Sequence, residues 1–104
     1  MREMPGSDNT TTLSLRPVTQ DELDEMIEKH GRYLRGQTGG QRVIVNDRDL
    51  SYLDFRAADL SRADFTNCRI SGANLALGKF KSAVFFASDM RSCDLEMADL
   101  SWCD

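Results

Sequence analysis

The chain has no long apolar run. Its start, "MREMPGSDNTTTLSLRPV", holds no continuous apolar stretch of signal-peptide length, and nothing later is long enough to span a bilayer. These absences point to a soluble, cytoplasmic protein with no membrane partner, and make the Asn9-Thr10-Thr11 sequon a chance match. Histidine is nearly absent. The one copy, His30, has no nucleophile or carboxylate set beside it by any motif, so it is expected on a helix face and not in acid–base chemistry. The three cysteines, Cys68, Cys93 and Cys103, are odd in number and lack CxxC spacing. That excludes a disulfide framework or metal cluster and leaves reduced, small, buried fillers. No charge sign dominates: the net charge is −4 with acids and bases interspersed, so no polybasic arm suggests direct nucleic-acid binding. Nucleophile motifs and phosphate loops are missing too. Neither enzymatic activity nor a cofactor is expected.

The 104 residues suit one domain with a tail. Residues 1–17 are polar and Thr-rich and read as a flexible tail. Residues 18–41 read as an amphipathic helix and loop that cap the remainder of the chain. Thr19 and Glu22 form a capping box, flanked by Val18 and Leu23 as a hydrophobic staple. Leu23, Met26, Ile27, His30 and Leu34 make one face. Gly31 is expected to weaken the second half of this helix, and Gly36 suits the C′ position.

Residues 42–104 carry a different period. Leu50, Phe55, Leu60, Phe65, Ile70, Leu75, Phe80, Phe85, Met90, Leu95 and Leu100 fall five apart, and all are large and apolar. Two residues before each stands a small residue in nine of eleven cases, and between the two stands Asp or Asn in eight of eleven. Neither a helix nor a strand repeats by five. Small–polar–large alternates in–out–in like a very short strand, and the two remaining positions must turn the chain. The result is a tight coil whose backbone bonds run to the coils above and below.

The stretches "ADLSRADF", "CRISGANL" and "CDLEMADL" resemble the pentapeptide-repeat family, and the segment around "TQDELDEMIEKHGRYLRGQTGG" is similar to a helix that precedes the repeats in bacterial members. The resemblance implies an all-β solenoid: a right-handed quadrilateral β-helix of four pentads per coil, with a short N-terminal α-helix. Residue i then lies over i+20, giving core columns Leu50/Ile70/Met90, Phe55/Leu75/Leu95, Leu60/Phe80/Leu100 and Phe65/Phe85, the last able to stack aromatic rings. Arg48 departs from the small position and is expected to mark the first end of the coil. Each cysteine falls in its own column. Cys103-Asp104 opens an unfinished pentad, which suggests truncation of a longer repeat protein, or self-association through an open solenoid end.

A coil filled by side chains has no pocket, so function belongs on its skin. Val84 replaces the outward Asp, and Phe86 and Trp102 also point outward nearby. Leu77 and Met97 stack at the neighbouring corner. These five are the candidate protein-binding patch, and the expected function is protein–protein interaction or scaffolding. An alternative implied by the family is a DNA-mimicking inhibitor of DNA gyrase. Mimicry needs a continuous acidic column, whereas residues 48–67 net −1, 68–87 net +3 and 88–104 net −4. A third reading is a spacer or targeting module of a larger bacterial or phage protein.

Overall fold

The computed structural model describes residues 15–104. Its named elements are β1 (Arg16–Pro17), α1 (Gln20–Leu34) and β2 (Arg48–Asp49). Beyond β2 the repeat holds single parallel bridges: Asp49 with Arg69, Asp54 with Asn74, Asp59 with Lys79, Asp64 with Val84, and the same spacing of twenty onward to Asp99. One bridge per pentad is what a three-residue extended segment allows before the chain turns. The pairing is continuous from coil to coil: Leu50 N–H donates to Arg69 C=O at 2.7 Å, and Arg69 N–H donates to Arg48 C=O at 3.0 Å.

The turns are set locally. Every fifth residue from Asp47 to Trp102 has a left-handed φ between 56° and 71°, and only Gly72 among them is glycine. At most corners the N–H after this residue bonds back to the large residue's carbonyl, as Ala63 does to Leu60 at 3.0 Å, closing a four-residue turn with φ > 0 at its third position. The Asp or Asn braces the same corner. Asp49, Asp54, Asp59, Asp64, Asn74, Asp89, Asp94 and Asp99 each accept, through Oδ1, the N–H two residues on. This bond offsets part of the left-handed strain of the next residue.

Inside, Leu50, Phe55, Leu60, Phe65, Ile70, Leu75 and Phe80 are fully buried. Phe65 and Phe85 stack with centroids 5.6 Å apart and planes 11° apart, and Phe55 meets Phe65 edge-on at 6.0 Å. Each thiol is more than a filler: Cys68, Cys93 and Cys103 donate to the carbonyls of Val45, Ile70 and Phe80 at 3.2, 3.0 and 2.9 Å. Ser88 follows the same rule toward Phe65 and also accepts the Cys68 N–H, so its hydroxyl bridges a corner that lacks the backbone bond.

One boundary and the reading of Arg48 differ from expectation. The tail does not extend through residue 17, because β1 pairs in parallel with β2, Arg16 opposite Arg48 and Pro17 opposite Asp49. The rest of the expected tail, through residue 14 and including the Asn9 sequon, lies outside the described residues. Arg48 is also not the first residue of the coil. Ile44 already bridges Asp64, and Val43 and Val45 are buried. The Arg48 guanidinium instead turns outward and donates to the carbonyls of Arg16 and Pro17 at 2.9 and 3.0 Å. Two residues were too few to show a period, so β1 was invisible in the sequence.

α1 closes the end left by these strands. Thr19 and Glu22 form the reciprocal capping box, at 3.1 and 2.9 Å, and Val18 and Leu23 are both buried. At the other end Gly36 has φ +67°, Gly36 N–H bonds Tyr33 C=O and Gln37 N–H bonds Arg32 C=O, the paired bonds of a Schellman stop. Gly31 does not interrupt the helix. Leu23 and His30 are sealed, and Met26 and Ile27 pack on the core.

Candidate interaction surface

Chemistry-bearing side chains are spent on structure at the capped end. Val43 N–H donates to His30 Nδ1 at 2.9 Å, so the ring proton sits on Nε2, which donates to Ser61 C=O at 2.8 Å. Burial pushes the imidazole below its ordinary pKa, against the opposing pull of the Ser61 carbonyl and Asp59. Both nitrogens are occupied and the ring is closed to solvent, so neither can reach a substrate. The three thiols are free, and burial pushes each above the usual thiol range. Among the described residues no group of three His, Cys, Asp or Glu could hold a metal ion, and no helix is long and apolar enough to cross a membrane.

The outer sides carry charge in columns. Bridged pairs run Asp49/Arg69/Asp89 on one side and Asp59/Lys79/Asp99 on the side two corners away. The basic middle coil is therefore the partner of two acidic coils, since opposite charges across a ladder stabilise it and like charges do not. The shortest ion pair among the described residues is Arg91 with Asp89, at 2.7 Å between Nη2 and Oδ2. The Arg91 guanidinium, followed by its backbone N–H, holds the Asp89 carboxyl down at about 2. Asp99 is also lowered, by the Ser101 hydroxyl first and its backbone N–H second.

Apolar residues interrupt this polar skin where the repeat register places them. Phe86, Met97 and Trp102 are 62, 79 and 82% exposed. Leu77 is also exposed and lies in one corner column with Met97, its N–H bonding Glu96 C=O at 2.8 Å. Val84 is half-buried, with its backbone bridged to Asp64. Trp102 stands in the corner column of Ser82, whose N–H bonds Ser101 C=O at 2.9 Å. Val84 and Phe86 occupy the side that this corner opens. Leu77 and Met97 lie one corner earlier, across the Lys79/Asp99 side, so the five residues form two neighbouring groups. The sequence reading missed Tyr52, 81% exposed at its corner, and Ile44, 56% exposed. The signal for Ile44 was present: Val45 stands five before Leu50, and Val43 takes the inward position before it.

A coil with a twenty-residue register, a corner every fifth residue and a filled interior defines a repeat protein of the solenoid class. A scan against family models matches residues 47–76 to pentapeptide repeats in eight copies. Residues 47–76 thus carry pentapeptide repeats, which imply a β-helix solenoid. No curated protein matches the chain significantly.

Proposed function

We propose that the chain is a non-enzymatic protein-interaction or scaffold module, with a right-handed, four-sided β-helix as its frame and partners bound on its corners. The observation that supports this reading is the exposure of Phe86, Met97 and Trp102. None of them serves the core, and the coil holds each on a corner braced by hydrogen bonds, so their ordering is prepaid before a partner arrives. The alternating charge columns argue against a duplex mimic, which needs unbroken negative charge along the axis.

Photo-crosslinking tests the proposal. Benzoylphenylalanine placed at Met97 or Trp102 in the native host is expected to form a discrete adduct with one partner, while the same group at the polar corner residue Arg56 forms none. Equal adducts at all three positions, or none at any, would overturn it. Inhibition of gyrase supercoiling by the purified protein would favour the mimicry reading instead.

A further inference from the structure

An exposed strand edge invites another strand, and folded proteins close such edges with proline, charge or a covering element. The capped end uses all three. On the Arg48–Leu50 side β1 covers the edge, and its own Pro17 has no N–H to offer. On the next side the Gln20 side-chain amide replaces a strand, donating to Asp54 C=O at 2.9 Å and accepting Asp54 N–H at 2.8 Å. The third side presents the charge of Asp59, with His30 of α1 bonded to the corner carbonyl of Ser61.

The fourth side is treated differently. Val43 C=O accepts Asp64 N–H at 2.9 Å and Val45 N–H donates to Asp64 C=O at 2.8 Å, so both face the coil. Strand alternation therefore turns the N–H and C=O of Ile44, between them, away from it. Among the described residues neither group has a partner. Beside this edge a groove of about 340 Å³ runs between α1 and residues 41–45, with Met26, Val43 and Val45 on its apolar floor and Glu22 and Lys29 on its rim. Ile44 itself stands where the repeat normally places Asp, so the edge lacks its blunting charge.

We propose that this edge accepts an extended segment of a partner protein as one added parallel strand. The segment reads small–polar–large: a small side chain over the Val43/Ala63/Ala83 column, a larger one over Val45/Phe65/Phe85 beside Met26, and a polar residue outward over Ile44. Backbone bonds to Ile44 supply the affinity and the two inward positions the selectivity, as in other strand-addition sites. This site is separate from the corner patch and does not depend on it.

The probe is the acetylated, amidated heptapeptide KTAQLTK, titrated into the ¹⁵N-labelled full chain. The Ile44 and Val45 amide resonances are expected to shift, and exchange of the Ile44 N–H to slow by about tenfold or more at saturation. Ile44→Pro removes that N–H while leaving both bonds to Asp64, as Pro17 shows the position allows; it should weaken binding at least about tenfold. Ile44→Lys keeps the backbone and sets a positive edge charge against the two lysines of the peptide; it should also weaken binding, with an unchanged thermal midpoint, and so serves if the proline variant fails to fold. Trp102→Lys should leave the peptide affinity unaltered. No shift at Ile44 up to millimolar peptide, shifts centred on residues 88–104, or full binding by either Ile44 variant would overturn the proposal.

Discussion

Asp or Asn beside each large apolar residue is a backbone ligand before it is a surface charge. Asn74 shows this without a charge at all: its Oδ1 accepts the N–H of Ala76 at 3.0 Å. Asn74→Ala should therefore cost about 1 kcal/mol in denaturant unfolding, while Asn74→Asp, which keeps the acceptor, should cost far less. Where the carboxylate also meets a base, pH reads the contact. Asp89 titrates at about 2 in the folded chain and near 3.8 when unfolded. Its stabilisation is thus complete above the unfolded value and lost as pH falls through the folded one. Arg91→Met should return the Asp89 carboxyl toward its ordinary range in an NMR titration and shrink this acid-linked loss. The role of the Asp was legible in sequence because its bond spans two residues. The donor role of the cysteines was not, because the carbonyls of Val45, Ile70 and Phe80 stand 23 positions away.

At the scale of the corner and the cap, neighbours one coil apart decide what a residue can be. Tyr52 lies over Gly72, where an added Cβ would overlap the Tyr52 ring, and Gly72 has φ +71°. Gly72→Ala should cost about 1–2 kcal/mol from the backbone conformation and more from the overlap. The double variant with Tyr52→Ala should be less destabilised than the sum of the two, a coupling that a double-mutant cycle measures. In the cap, His30→Ala leaves the Val43 N–H and the Ser61 C=O without partners, an expected loss of about 2–4 kcal/mol. Because its folded pKa is lowered, His30 stabilises fully above its ordinary value of 6.5, and that contribution falls as the solution becomes more acidic and protonation competes with the Val43 bond. Asp59, Arg42, Arg62 and Tyr33 surround the ring, and the wild-type minus His30→Ala stability difference against pH isolates its share.

Across the whole molecule, charge alternates along two of the columns. Arg69→Glu with Lys79→Glu makes both wholly acidic, so the thermal midpoint should fall at low salt. The gap to wild type should narrow at about 0.5 M salt, where screening reaches only a few ångströms. A gap that ignores salt would show that the basic coil serves some purpose other than balancing its neighbours.

The five-residue period was readable from the chain alone, together with the corners, the helix caps and the inward columns, although in the last coil Met90 and Leu100 are only half-buried and Leu95 is exposed. All of these rest on bonds or alternations that span two to five residues, so neighbouring letters carry them. What the tertiary structure alone decided is how the coil is closed and where it stays open. Gln20 meets Asp54 across 34 positions and His30 meets Ser61 across 31, and no local pattern records such a meeting. The same holds for β1, because a strand of two residues has no period of its own; Ile44 continues the five-residue register, but it becomes an edge only when folding leaves it without a neighbour.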